Sequence, residues 1–326
     1  MEKHIALICD DAYAMPTMVT IQSIVDCARN AQEKVFIHVC SPGLDKGSVA
    51  AFGNMGTEFV SVLVHIFNLD CISKKINVVI PQTHVSSAAL IKFELPNLFN
   101  NLDNLLYLDS DIVVKNNFFD IFSEDVSNFY LAASFEFWKY LNDEKYKLWG
   151  WKHDFYFNSG LMFLNLKKMR DDGLTEKLWK YKIFSAKTKL MDQESFNAVC
   201  SGCVKPLSIR WNFNPVFLND IYLKSINAVY GENFSSCDDA LDNATVIHYV
   251  GKGDKPWIYK TARLQKIWYH FFCECFPNKE LNYRIFHTER LSFRSSLFRT
   301  VQQFGFGGLI VSVFYRIKNV FFKIYK

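Results

Sequence analysis

The first half of the chain alternates short β-rich apolar runs with longer segments of helical periodicity. Residues 4–9, 34–40 and 59–65 have the composition of buried strands, and residues 17–30 and 48–54 between them have the apolar spacing of helices. Parallel strands require crossover connections, which are usually helices, so this alternation predicts a mostly parallel sheet with helices on both faces.

A further apolar run, residues 104–114, is predicted as a strand whose continuous hydrophobic stretch stops at Asp109 and Asp111. Ligands of open α/β sheets gather at the carboxyl ends of strands. Alternate side chains of an extended segment point the same way, so both carboxylates can reach one ion. Because a carboxylate at the end of an apolar strand is costly without a compensating partner, the pair predicts a cation site.

The rest of the first 262 residues continues the α/β pattern. Helices are predicted at 87–100, 173–187 and 193–200, and strands at 129–134, 160–166 and 245–249. The simplest division is therefore a catalytic domain over residues 1–262 and a helical extension over residues 263–326.

The extension carries the basic character of the chain. Net charge is +4 overall, yet from Arg290 onward there are seven Lys or Arg and no acid, interleaved with Phe, Tyr, Leu and Ile. Its longest apolar run, residues 309–315, is far shorter than the ~20 residues that a membrane span needs. We expect a basic amphipathic helix lying on an anionic membrane surface, with packing on the domain as an alternative. A nucleic-acid tail is a third interpretation of the same residues, but we expect no nucleic-acid partner.

The N-terminus and the cysteines bear on the compartment. Residues 1–4 run directly into a strand-like segment and lack the features of a signal peptide. Nine scattered cysteines fit free thiols in a reducing compartment rather than a secreted disulfide framework. We therefore expect a cytoplasmic protein, peripheral on the cytosolic face of the inner membrane.

A second polar segment complements the aspartate pair. His248 ends the last predicted strand and is followed by a Gly- and Lys-containing loop, residues 251–256, suited to phosphate oxygens. Two carboxylates, one imidazole and diphosphate oxygens favour Mn²⁺ or Mg²⁺, and the nitrogen ligand favours Mn²⁺. Such a cation would neutralise a departing nucleoside diphosphate.

Six segments in this order resemble glycosyltransferase family 8, which includes lipopolysaccharide glucosyl- and galactosyltransferases and glycogenin. They are residues 8–13, Leu106-Tyr107-Leu108-Asp109-Ser110-Asp111, residues 157–168, residues 191–194, residues 211–214 and residues 248–257. The resemblance implies a GT-A nucleotide-diphospho-sugar transferase fold and a retaining reaction that uses a UDP-sugar donor.

The resemblance also implies roles for individual residues. Uracil would be held by Asp10 and would stack on Tyr13, the donor hexose would be oriented by Asn158 and Asp192, and Gln193 would lie near the anomeric carbon. The full predicted site consists of catalytic residues Gln193, Asp192 and Glu136, donor-binding residues Asp10, Ala12, Tyr13, Lys92, Ser110, Asn158, Ser159, Gly251 and Lys255, and metal ligands Asp109, Asp111 and His248.

Two positions depart from the family pattern. Lys92 stands where the family usually has Arg, which keeps the positive charge but loses the bidentate fork. Ala12 stands where the uracil contact usually involves Asn.

Gln193 is a poor nucleophile because its amide is neutral, so front-side attack is preferred to a covalent intermediate.

We therefore predict a hexosyltransferase that moves galactose or glucose from a UDP-hexose to a glycan or glycolipid acceptor. Taken singly, its motifs have structural interpretations: Asp10 could cap a helix, residues 158–160 could form a turn, and Asp192 could begin a helix. An inverting transferase, a nucleotidyltransferase and a catalytically inactive nucleotide-sugar or glycan-binding protein are the rival functions.

Overall fold

The computed structural model describes residues 2–67, 87–115, 118–137, 156–184 and 192–281. Residues up to Glu136, together with those from 153 to Leu281, belong to one compact unit. The basic tail after residue 281 lies outside the described residues, so its predicted membrane-surface helix stays a prediction. None of the helices in the described ranges combines the length and apolar character that a bilayer span requires.

A seven-stranded sheet forms the centre of this unit, in the order β3-β2-β1-β4-β7-β6-β8. Its strands are β1 (Lys3–Ile8), β2 (Val35–Ser41), β3 (Val60–Ile66), β4 (Asn104–Leu108), β6 (Leu131–Ser134), β7 (Leu161–Asn165) and β8 (Val204–Leu207). Only β7 runs against its neighbours β4 and β6, and every other pairing is parallel. The predicted mostly parallel α/β sheet is confirmed, although β8 was not predicted.

The predicted strand over residues 104–114 is wrong as a single element. It breaks after Leu108, and the chain re-forms as β5 (Ile112–Val114), which pairs antiparallel with β9 (Val246–His248) in a separate two-stranded sheet. The break is the Asp109–Asp111 turn. Asp111 directly precedes β5 and His248 ends β9, so the pairing of these two strands brings the two side chains together.

Nine α-helices cover the sheet within the described ranges. They are α1 (Ala14–Ala31), α2 (Lys46–Gly53), α3 (Leu95–Leu98), α4 (Leu166–Asp171), α5 (Leu174–Phe184), α6 (Gln193–Val199), α7 (Leu223–Tyr230), α8 (Cys237–Asn243) and α9 (Gln265–Cys275). The prediction of one helix over residues 87–100 is wrong, because residues Ser87–Glu94 form a 3-10 helix before the short α3. Pro96 lies at the start of α3, where its missing N–H interrupts no helical hydrogen bond.

Strand β1 shows how the core is built around the sheet. Ile5 and Leu7 point into the cluster beneath α1, whereas Ala6 and Ile8 point into the cluster on the opposite face. Successive side chains of a strand alternate between faces, so an apolar run without polar positions is the pattern of a strand covered on both sides.

Helix α9 begins just after the predicted domain boundary at residue 262 and packs on the catalytic unit. Its side chains Trp268 and Phe272 are buried against Val19 of α1 and Val113 of β5. Because Trp268 and Phe272 are four residues apart, they lie on the same side of α9, and their burial stabilises the packing of this helix. The division at residue 262 remains a prediction, since most of the extension lies outside the described ranges.

Candidate active site

The Asp109–Asp111 turn is held by hydrogen bonds at the carboxyl ends of β1 and β4. The Asp109 N–H donates to the Gly160 carbonyl at 2.7 Å, and the Tyr107 hydroxyl donates to Asp109 Oδ1 at 2.6 Å. Ser110 Oγ donates to the Ile8 carbonyl at 3.0 Å. Backbone hydrogen bonds to neighbouring strands therefore fix the turn, and the Tyr107 hydroxyl orients the Asp109 carboxylate.

His248 reaches the same turn from β9. Its Nε2 atom lies 3.1 Å from Asp111 Oδ1 and 3.7 Å from Asp109 Oδ2. Its Nδ1 atom lies 2.8 Å from Asn212 Oδ1, and the imidazole is 3% exposed. Because the amide oxygen of Asn212 can only accept, Nδ1 carries a hydrogen, and Nε2 is the ring nitrogen that faces the two carboxylates.

This arrangement fits a divalent cation. Ligand atoms of Asp109, Asp111 and His248 lie within 4.8 Å of one another. Two carboxylate oxygens and one imidazole nitrogen that converge in this way can ligate one divalent cation. Gly160 closes the opposite side: an added Cβ would collide with His248 Cε1 and lie 2.9 Å from Asp109 Oδ2. The donor set therefore supports a divalent-metal site at the three predicted ligands.

Lys255 supplies positive charge beside Asp111. Its Nζ donates to Asp111 Oδ2 and, at 2.8 Å, to the Tyr249 carbonyl, and it lies 5.5 Å above the Trp257 ring. Burial raises the pKa of Asp111, but the charges of Lys255 and His248 outweigh it and hold that pKa well below its ordinary value. Asp111 is therefore ionised, as a metal ligand must be.

A second buried lysine lies on the other side of the turn. Lys92 is 3% exposed, and its Nζ lies 2.6 Å from Asp192 Oδ2, 3.2 Å from Asp109 Oδ1 and 4.6 Å from the centre of the Tyr107 ring. Burial lowers the pKa of Lys92, but Asp109 and Asp192 outweigh it, and the net shift is upward. Lys92 thus links a predicted metal ligand to a predicted sugar-orienting carboxylate.

The predicted sugar-binding residues form one hydrogen-bonded cluster. Gln193 Oε1 accepts from Asn158 Nδ2 at 3.3 Å and from the Ser159 N–H at 3.2 Å, and Ser159 Oγ donates to Asp192 Oδ2 at 2.9 Å. Asn158 Nδ2 also donates to Glu136 Oε2 at 3.1 Å. Shared partners fix these side chains relative to one another.

Asp10 and Tyr13 follow the carboxyl end of β1. Asp10 Oδ1 accepts from the Tyr13 N–H at 3.2 Å, so this carboxylate caps the 3-10 helix Asp11–Tyr13. The Tyr13 side chain is partly open, at 38% exposure, and its ring meets Trp257 edge-on with centroids 5.9 Å apart. An accessible aromatic face at this position can stack on a flat ligand ring.

Most of these groups line one cavity of about 360 Å³. It is lined by every predicted site residue except Ala12 and Glu136. Ala12 is exposed on the 3-10 helix between Asp10 and Tyr13, and Glu136 lies behind Asn158, which it contacts through the hydrogen bond described above. The structure therefore gathers the predicted residues, while their individual roles stay predictions.

Tyr107, Gly160 and Asn212 shape the site although none of them had a predicted role. Tyr107 bonds Asp109 from two positions earlier on the same strand face, so strand alternation could have indicated it. Gly160 is required by the close approach of His248, and Asn212 orients that histidine from 36 positions away along the chain. Asn212 lies in one of the six segments that resemble the family, but its role depends on a partner from a distant segment.

The fold and the site together define a glycosyltransferase of the GT-A type. A model described as Glycosyl transferase family 8 matches residues 4–261, so the chain belongs to that family and is a glycosyltransferase. This confirms the predicted family, fold and enzyme class.

Known relatives and solved structures agree with this assignment. The chain is 26% identical over 258 residues to the lipopolysaccharide 1,2-glucosyltransferase of Escherichia coli, covering 76% of this chain and 71% of that protein. It is 24% identical over 292 residues to glycosyltransferase GlyF of Streptococcus pneumoniae serotype 4, covering 87% of this chain and 66% of that protein. It thus spans about two thirds of these curated relatives.

Among solved structures, the galactosyltransferase LgtC in complex with donor and acceptor sugar analogs shares the fold. The TM-score is 0.67 at 21% sequence identity, and the match covers 84% of this chain and 96% of that chain. At 21% sequence identity this structural similarity supports the same fold and says nothing of the substrates.

Proposed function

We propose that the chain is a retaining hexosyltransferase that moves galactose or glucose from a UDP-hexose to a saccharide or glycolipid acceptor. One observation carries the proposal. A continuous series of contacts joins eight cavity-lining residues and Trp257, in the order Tyr13, Trp257, Lys255, Asp111, His248, Asp109, Lys92, Asp192 and Ser159.

That order matches the parts of a UDP-hexose. An open aromatic ring stands at the end suited to uracil, and cationic and metal-capable groups stand in the middle, where a diphosphate belongs. Carboxylate, amide and hydroxyl groups that can hydrogen-bond sugar hydroxyls stand at the other end. A single extended donor therefore meets a complementary group along its whole length.

In this proposal Asp109, Asp111 and His248 hold Mn²⁺, with Mg²⁺ as the second choice. A bound cation would neutralise the negative charge of the departing UDP. Lys255 lies beside Asp111 and adds a fixed positive charge for the diphosphate oxygens. Asn212 keeps His248 in the tautomer that can act as a ligand.

The chain's own residues favour front-side attack. Gln193 is neutral, and its amide oxygen is already engaged by Asn158 and the Ser159 N–H, so it is a poor covalent nucleophile. Asp192 is neutralised by Lys92 and suited to orienting hydroxyls. Glu136 holds Asn158 from behind. If none of the described residues that line the cavity acts as a nucleophile, the leaving diphosphate would accept the proton of the attacking acceptor hydroxyl on the same face.

The acceptor is proposed from the relatives and from the tail. One relative acts on lipopolysaccharide, according to its name, and residues 290–326 carry positive charge without acids. We propose a saccharide or glycolipid acceptor at the cytosolic face of the inner membrane. Removing residues 290–326 should release the protein from anionic vesicles and leave donor hydrolysis intact, whereas unchanged vesicle binding would contradict the membrane role.

The proposed function is tested by hydrolysis of a panel of UDP-sugars with Mn²⁺ or EDTA. Mn²⁺-dependent release of one hexose, lost in the Asp109→Asn, Asp111→Asn double variant, is the expected result. Metal-dependent nucleotide binding without hydrolysis, even with saccharide acceptors present, would favour a catalytically inactive binding protein. Release of pyrophosphate from a nucleoside triphosphate would favour a nucleotidyltransferase instead.

A further inference from the structure

A second group of metal-capable side chains lies where α1 packs against α9, apart from the cavity described above. Asp26 comes from α1, and His270 and Glu274 come from α9. Their potential ligand atoms lie within 4.8 Å of one another. The group joins an imidazole nitrogen to two carboxylate oxygens, which is a mixed donor set rather than a patch of acids.

The helix geometry explains the convergence. His270 and Glu274 are four residues apart on α9, so they project from one side of the helix, one turn from each other. His270 Nε2 and Glu274 Oε1 are 3.5 Å apart. On α1, Gln22 is likewise four residues from Asp26, and its Nε2 donates to Asp26 Oδ1 at 3.1 Å and to Glu274 Oε2 at 3.3 Å. One amide thus holds carboxylates of both helices in place.

Positive charge near these carboxylates is weak within the described residues. Arg29 Nη2 lies 3.4 Å from Asp26 Oδ1, but its side chain is 61% exposed, so it can swing into solvent. The potential ligand oxygens of Asp26 and Glu274 lie within 4.8 Å of each other. Two carboxylates that crowd each other are stabilised by a cation that both can ligate.

The donor set and its spacing select the cation. Zn²⁺ binds imidazole nitrogen and carboxylate oxygen at about 2.0 to 2.2 Å, and tetrahedral geometry then separates ligand atoms by about 3.4 Å. The His270–Glu274 pair already has this separation. Mg²⁺ prefers oxygen ligands alone, and Mn²⁺ binds nitrogen-containing sites more weakly than Zn²⁺.

We propose that Asp26, His270 and Glu274 form a second divalent-cation site that binds Zn²⁺ and fastens α9 to α1. The site is structural, and water completes its coordination on the exposed side. It is independent of the proposed transferase chemistry. Because α1 follows Tyr13 along the chain and α9 follows Trp257, the ion would hold together two helices that come after a pair of contacting aromatic residues.

The test is titration of the full-length, metal-free protein with Zn²⁺, followed by calorimetry and by the midpoint of thermal unfolding. The Asp109→Asn, Asp111→Asn double variant removes the first site. It should still bind one Zn²⁺ and unfold at a higher temperature when Zn²⁺ is present. Adding His270→Ala to it should weaken Zn²⁺ binding at least tenfold and abolish the shift.

Two controls isolate the ligands. Lys266→Ala changes another exposed side chain one turn earlier on α9, and Cys273→Ser removes an exposed thiol beside the site; both should leave Zn²⁺ binding unchanged. Should the double variant fail to fold, His270→Ala in the native chain should lower the number of bound Zn²⁺ ions by one. The proposal is overturned if Zn²⁺ binding persists at full affinity when His270→Ala is added to the double variant, or if the native chain keeps the same number of bound Zn²⁺ ions after His270→Ala. Loss of Zn²⁺ binding in Cys273→Ser would also overturn it.

Discussion

The Nδ1 atom of His248 lies 2.8 Å from the Oδ1 atom of Asn212, and this contact directs the Nε2 atom at the Asp109–Asp111 turn. Outer-shell partners of metal-ligating histidines typically contribute 10- to 100-fold in metal affinity. We expect Asn212→Ala to raise the Mn²⁺ concentration for half-maximal donor hydrolysis by about that factor. The measurement is a Mn²⁺ titration at saturating donor.

The matched variant is Asn212→Asp, which keeps an oxygen that accepts from Nδ1 and should lose much less Mn²⁺ affinity than Asn212→Ala. Equal losses in the two variants would show that an accepting oxygen at position 212 does not set the Mn²⁺ affinity.

Gly160 provides a steric test of the same site. A Cβ at this position would collide with His248 and approach both Asp109 and Asn158 to 2.9 Å. We expect Gly160→Ala to lower donor hydrolysis at least tenfold, because the imidazole and the carboxylates must shift from their positions. The folded state should persist, as measured by far-UV circular dichroism.

Gly53→Ala serves as its control. Gly53 ends α2, and nothing lies within 4 Å of an added Cβ there. Activity should be unchanged, with a small gain in stability because glycine is a poor helix former. Full activity in Gly160→Ala would contradict the tight geometry at the turn.

The outline of this fold follows from hydrophobic patterning, because strands buried on both faces leave an unbroken apolar run. Strands β1, β2 and β3 lie within one residue of their predicted bounds. What patterning misses is a change of sheet within an apolar run. The run from 104 to 114 contains both β4 and β5, and both halves are equally buried. Only the pairing of β5 with β9, far along the chain, separates them.

The site likewise contains residues that local sequence patterns predict and residues that only the tertiary structure identifies. The aspartate pair and His248 were predictable because each ends an apolar strand with a polar side chain. Asn212 and Gly160 act through contacts with His248, so their roles depend on tertiary geometry rather than on local sequence. Lys92 was predicted as a donor-binding residue. In the structure its Nζ contacts two carboxylates, Asp109 and Asp192, a pairing that no spacing predicts.

Lys92 therefore yields a prediction about stability. Its ammonium is buried between Asp109 and Asp192. Lys92→Met keeps most of the volume but leaves two carboxylates without their cation, and we expect a loss of about 3 kcal/mol in the free energy of unfolding. Urea denaturation measures this loss.

A double variant separates charge from packing at this position. Adding Asp192→Asn to Lys92→Met removes one of the two orphaned charges and should recover part of the lost stability. The losses in Lys92→Met, in Asp192→Asn and in the double variant are compared. If the loss in the double variant equals the sum of the two single losses, Lys92 and Asp192 are not coupled and their ion pair contributes little to stability.

A row of three histidines across β1, β2 and β3 gives a pH dependence of stability. His38 Nε2 lies 3.0 Å from His4 Nδ1, and His38 Nδ1 lies 3.0 Å from His65 Nε2. Burial first, and then the charges of His65 and His4, lower the pKa of His38 from 6.5 to about 3. The folded state therefore keeps His38 neutral at pH values at which the unfolded chain protonates it.

The sign of the effect follows from this difference. Above pH 6.5 both states hold His38 neutral and the stability is fully present; as pH falls from 6.5 towards 3, only the unfolded state gains the proton. The free energy of unfolding should then drop by up to about 1.4 kcal/mol per pH unit from this residue. Urea denaturation of the native chain and of His38→Gln at pH 7.5, 6 and 5 measures the slope. His38→Gln removes the titrating group and should flatten the dependence, whereas parallel slopes in the two proteins would mean that His38 protonates equally well in the folded sheet.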